Sequence, residues 1–90
     1  MIFEWNEKKS TSNKLKHGIS FEVAKRLWDD PFRVEIKISY PDEDSSVLIG
    51  RMDKKIWTAI FTVREGAIRI IAVRRARKRE AMLYETKEDS

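Results

Sequence analysis

The sequence predicts an α+β domain: a short first strand and two helices, then a four-stranded antiparallel sheet, then a C-terminal helix. Three observations predict it. Apolar residues recur at helical spacing between Phe21 and Trp28. Apolar and polar residues alternate through Phe32–Ser39 and Ile56–Arg64, and only short turn-forming stretches separate the later segments. The 90 residues fit one domain spanning 1–90, because two units of half that length would each lack a core.

Ile2-Phe3-Glu4-Trp5 alternates apolar and polar and reads as the first strand. Asn6 is a good N-cap and Gly18 a good stop, which bracket a helix over 7–17. Its only large apolar residue is Leu15, so it is expected to be mostly solvated. Ser20 caps a second helix without a capping box, since Val23 stands where Glu or Gln would complete it. Phe21, Ala24, Leu27 and Trp28 form its apolar stripe, and Asp29-Asp30-Pro31 ends it.

Strands follow. Phe32, Val34, Ile36 and Ile38 give Phe32–Ser39 one apolar face. An acidic turn, Tyr40–Ser45, leads into Ser46–Met52, and Asp53-Lys54-Lys55 is a tight connection to Ile56–Arg64. Glu65-Gly66 turns into Ala67–Arg75. Regular alternation puts Trp57, Ala59, Phe61 and Val63 on one face. In the last strand it groups Ile68, Ile70, Ala72 and Arg74 on one face, against Arg69, Ile71, Val73 and Arg75. Good helix formers fill Ala76–Glu88, and the helices are expected on one side of the sheet. Trp5, Trp28, Trp57 and Phe61 are assigned to the core.

The net charge of +4 comes from one place. Arg64–Arg79 carries seven bases and one acid, for +6, while the remaining residues hold 12 bases and 14 acids, for −2. Such a stripe suits a phosphate-bearing partner. With no cysteine and one histidine, disulfide scaffolds, thiolate zinc sites, cysteine nucleophiles and His-rich metal sites are excluded. No apolar run approaches the roughly 20 residues of a membrane span, and the start lacks a signal-peptide core, so a cytoplasmic protein is expected. There is no phosphate-binding glycine loop, G-x-S-x-G elbow or H-E-x-x-H, so no cofactor is expected.

The final helix is charged against its dipole, with Arg77, Lys78 and Arg79 in the first turn and Glu85, Glu88 and Asp89 in the last. A helix N-terminus with three cations, entered through Arg74 and Arg75, reads as an anion site rather than a solvated face. Arg64 and Arg74 lie toward opposite ends of one hairpin ladder. For Arg74 a salt bridge with an acid such as Glu80 weighs evenly against a phosphate contact. Histidine suits acid–base work, but His17, beside Gly18 at a helix C-terminus, reads first as a capping cation. Glu80 and Tyr84, one turn apart near the basic run, are candidate acid–base groups, though by residue type they read first as a surface acid and a core aromatic.

Phe3–Lys8, Asn13–Ala24 with its Lys-His-Gly, and Asp29-Asp30-Pro31 resemble the N-terminal half of BrnT-family toxins. Ile49-Gly50-Arg51, Phe61–Arg64 and Arg69–Glu80 with Tyr84 resemble the C-terminal half, in the family's order. The resemblance implies a RelE-like ribonuclease toxin of a bacterial type II toxin–antitoxin pair. Its partner would be a BrnA-like ribbon-helix-helix antitoxin, through which alone it would meet operator DNA. The arginines matching Arg64 and Arg74, and the basic cluster after them, are those the resemblance marks for toxicity. Asn6 stands where aspartate is common, and Ala72 where serine is common, which removes a hydroxyl near Arg74.

The residues and the resemblance converge on metal-free RNA cleavage, in which the ribose 2′-OH attacks its own phosphate. Arg64 and Arg74 would stabilise the phosphorane, and Arg51, Arg75, Arg77, Lys78 and Arg79 would hold the backbone. Arginine is a poor base, so the proton falls to another group, with His17, Glu80 and Tyr84 as candidates, or to water. The alternative is a non-catalytic binding module or corepressor partner of a DNA-binding antitoxin; a general nucleic-acid binder is a third reading.

Overall fold

The structure is a computed structural model and describes residues 1–39 and 44–89. Residues 40–43 of the expected acidic turn lie outside them. The order is β1 (Ile2–Glu4), α1 (Glu7–His17), α2 (Phe21–Ala24) running into a 3-10 turn (Lys25–Asp29), β2 (Val34–Lys37), β3 (Ser45–Met52), β4 (Lys55–Arg64), β5 (Ala67–Arg75) and α3 (Lys78–Glu88).

The four-stranded antiparallel sheet expected from the sequence is a five-stranded mixed sheet in the order β1-β5-β4-β3-β2. β2 to β5 pair antiparallel as expected, but β1 joins the far edge parallel to β5, with Phe3 opposite Ile68. Three residues are too few for alternation to reveal a partner strand. β1 covers β5 only as far as Arg69. Further along that strand, the buried Asn13 of α1 accepts the Val73 N–H at 3.1 Å and donates to the Ile19 carbonyl at 2.8 Å. Ser10, also buried, accepts the Phe21 N–H at 2.9 Å. These polar anchors hold a helix whose Leu15 is 86% exposed.

The caps behave as their residue types dictate. Asn6 accepts the Lys9 amide, Ser20 accepts the Val23 amide, and Gly18 closes α1 at φ +80°. Phe21, Ala24, Leu27 and Trp28 are all buried against Leu48, Ala59, Phe61, Ile70 and Val73. Trp28 meets Phe3 and Phe61 edge to face, with both centroids at 5.2 Å. At Gly50 a Cβ would come within 3.4 Å of Leu27, so the glycine lets the 3-10 turn close on β3.

The helices do not share one side. α1, α2 and the 3-10 turn cover the core face, whereas α3 lies on the opposite face, where Glu80 reaches Thr58 and Arg74. Among the described residues, no helix is long and apolar enough to cross a membrane.

β5 departs from regular alternation. Ile60 pairs with Ala72 but Phe61 pairs with Ile70, so Ile71 is an extra residue in a β-bulge. The bulge reverses the facing of everything after it. Val73 joins Ile70 in the core, Arg75 stacks over the core-side Trp57, and Arg74 turns to the α3 face. Arg74 is therefore not on the face of Ile68 and Ile70, contrary to the expectation from period-two spacing.

Candidate functional site

The strand-to-helix corner from Arg74 to Glu80 carries a dense polar cluster. Arg74 Nη1 donates to Glu80 Oε1 at 2.7 Å and Nη2 donates to Oε2 at 3.0 Å, a two-point fork. The Thr58 hydroxyl donates to the same carboxylate at 2.9 Å, and the Arg77 amide at 2.8 Å. Glu80 is thus at once the counter-ion of Arg74 and the acceptor for an otherwise unpaired N–H at the start of α3. Both side chains are about four-fifths buried, with 22% and 20% exposed. Burial alone would raise the Glu80 carboxyl, but the bonds from Arg74, the Arg77 amide and Thr58 outweigh it and hold it down at about 2. The same pairing raises Arg74. The reversed charge of α3 is thereby offset locally: its first turn contains one fully engaged carboxylate.

α3 lies against the sheet through a stripe at i, i+4 and i+8: Glu80, Tyr84 and Glu88. Tyr84, 1% exposed, donates its hydroxyl to Asp30 Oδ2 at 2.6 Å, which also accepts the Arg51 amide at 2.8 Å. The Arg51 guanidinium stacks over the Tyr84 ring at 5.4 Å and donates to Glu88 at 3.0 Å. Burial, with Asp30 close by, pushes Tyr84 up to about 12. For Asp30, burial pulls upward, yet the Arg51 amide and the Tyr84 hydroxyl keep it below its ordinary value.

The expected site residues do not form one constellation. Arg74 and Glu80 meet on the α3 face. Arg51 is on that face too, committed to Glu88 and Tyr84. Arg77, Lys78 and Arg79 are exposed at the start of α3. Arg75 turns to the other face, over the Trp57 ring at 5.6 Å, and lines a recess there with His17 and Lys55. His17 and Glu80 are thus on opposite faces of the sheet. Arg64 is exposed beside the Glu65-Gly66 turn, six ladder positions from Thr58, the partner of Arg74. At about 3.3 Å per residue that is roughly 20 Å, so Arg64 and Arg74 do not meet.

Thr58, Asp30 and Glu88 were not singled out from sequence. Thr58 occupies an ordinary polar position of an alternating strand, and Asp30 reads as part of a helix stop. The spacing of Glu80, Tyr84 and Glu88 was the available signal, since α3 has no apolar stripe to put in its place.

A family model described as "Ribonuclease toxin, BrnT, of type II toxin-antitoxin system" matches residues 5–80. Comparison with curated proteins finds no match. The matched stretch takes in both faces of the corner, from His17 and Arg51 to Arg74 and Glu80. The chain belongs to the BrnT family of ribonuclease toxins from type II toxin–antitoxin systems, a family that implies an RNA substrate and an antitoxin partner.

Proposed function

We propose that the protein is an RNA-cleaving toxin in which the Arg74–Glu80 corner binds the scissile phosphate without a metal. The observation that carries this reading is the two-point fork between them, braced by Thr58 and the Arg77 amide. A guanidinium fixed in this way keeps its orientation when a phosphate arrives, so little reorganisation accompanies the rise to a dianionic phosphorane. In the reaction the 2′-oxygen bonds to phosphorus as its proton leaves, and the P–O5′ bond breaks as the 5′-oxygen takes up a proton. The products are a 2′,3′-cyclic phosphate and a 5′-hydroxyl.

Glu80 is a poor base near neutrality, being held at about 2 with both oxygens engaged. Tyr84, at about 12 and bonded to Asp30, is poorer still. His17 lies beside Arg75 on the opposite face of the sheet, away from a 2′-OH next to a phosphate on Arg74, so the proton passes to water. Glu80 then acts as a positioning residue for Arg74. Arg75, Arg77, Lys78 and Arg79 hold neighbouring phosphates, and Arg64 meets the strand farther along. Neutralisation by a ribbon-helix-helix antitoxin belongs to the same reading, as does an RelE-like fold.

The test is cleavage of RNA by purified protein in EDTA at low salt. Wild type is expected to cut. Arg74→Ala should lose at least about a hundredfold in rate, and Arg74→Lys, which keeps charge but not the fork, nearly as much. Intact RNA with wild type, or an Arg74→Ala variant as active as wild type, would leave the non-catalytic partner reading in its place.

A further inference from the structure

Beneath α3 the sheet presents aliphatic residues that the helix covers only in part: Val47 and Ile49 are buried, while Val34, Ile36, Ile38, Ile60 and Ile71 stay partly exposed. Val34, Ile36 and Ile38 of the β2 segment lie beside Val47 and Ile49 of β3, and the bulge adds Ile71. α3 spends its inner stripe on Glu80, Tyr84 and Glu88, leaving Leu83 49% and Met82 57% exposed. The result is an open cleft of about 540 Å³ between sheet and helix, with Leu83 on its wall and Arg74, Arg77 and Glu80 at one end. A contiguous apolar recess of this kind on a small domain marks a place where something docks.

We propose that the cleft seats a segment of the antitoxin that is amphipathic, with aliphatic side chains entering the cleft and carboxylates placed on the exposed cations at its end. RNA is a poor occupant, because among the described residues the cleft wall is aliphatic and contains no ring on which a base could stack. A second copy of this chain is a poor one too: a two-fold contact buries the same patch from both copies and so doubles the cationic rim within one interface. An acidic, aliphatic segment satisfies both the wall and the rim. Because Arg74 and Arg77 belong to cleft and corner alike, a docked segment and RNA exclude each other. That last consequence rests on the reading of the corner given above; the docking itself does not.

The experiment uses the full chain and the antitoxin encoded beside its gene, with affinity measured by titration and melting followed in parallel. Leu83→Glu should weaken binding by roughly ten- to hundredfold, from lost burial and like-charge repulsion. Leu83→Lys, of similar length and helix preference, should weaken it clearly less. Leu15→Glu, at an exposed leucine on the other face, should bind as wild type. Wild-type affinity in Leu83→Glu, or equal losses for Glu and Lys, would overturn the proposal. So would a free chain that is a dimer by sedimentation and becomes monomeric with Leu83→Glu. If wild type binds antitoxin as described but leaves RNA intact, the docking stands and the cleavage reading fails.

Discussion

Glu80 concentrates three tasks in one carboxylate: it orients Arg74, receives the Thr58 hydroxyl and caps the start of α3. Its acidity makes this measurable. A carboxyl held at about 2, against an ordinary 4.5, binds its proton less tightly folded than unfolded. Its contribution to stability is therefore complete above about pH 4.5 and disappears as the pH falls toward 2. For a largely buried pair that contribution is on the order of 2 kcal/mol. Urea unfolding of Glu80→Gln should show about that loss at pH 7 and little difference from wild type near pH 2. Asp30, shifted the same way, adds an acid-labile share that the substitution leaves in place. A constant gap between the two proteins across this range would show that Glu80 is not so coupled.

At the scale of elements, the sequence was most legible where a residue type has one dominant use. Asn6, Gly18 and Ser20 bracket α1 and α2 because few other positions suit them. The bounds of β5 were equally clear, but its facing was not. Ile70-Ile71-Ala72-Val73 is apolar throughout, so no alternation remains to betray the bulge. That single extra residue decides which arginine meets Glu80, and the site was illegible to the same degree. The sequence misleads on the side taken by α3 for a related reason: the helix docks by Glu80 and Glu88 on either side of Tyr84, and residue type assigns those two acids to solvent. The β3–β4 connection carries a different, correctable feature. Asp53 and Lys54 both have positive φ, 52° and 69°, as a two-residue turn of this kind requires, yet neither is glycine. Lys54→Gly should stabilise the fold by about 0.5–1 kcal/mol, read as a rise of roughly 3–6 °C in Tm. A fall in Tm would mean that the Lys54 side chain makes a contact worth more than the backbone strain.

For the whole molecule, the +6 segment is not six equivalent charges. Arg74 is neutralised by Glu80, which lies just beyond the segment, and Arg69 approaches Glu4 at 3.8 Å. Arg64 is exposed but roughly 20 Å from the corner along the ladder. What remains at the corner is Arg75, Arg77, Lys78 and Arg79, all exposed. Long-range attraction for RNA should come from these four, and local orientation from the neutral Arg74–Glu80 pair. The two roles separate in salt dependence. Four phosphate contacts on a single strand give a slope of log affinity against log salt of about −3. Lys78→Ala and Arg79→Ala should each reduce that slope by about 0.7 and lower affinity with little change in the rate at saturating RNA. The double variant Arg74→Gln/Glu80→Gln keeps the net charge of the pair, so its slope should stay near −3 while cleavage is lost. A general nucleic-acid binder predicts another pattern, in which every arginine of the segment weakens binding alike and no variant parts affinity from rate.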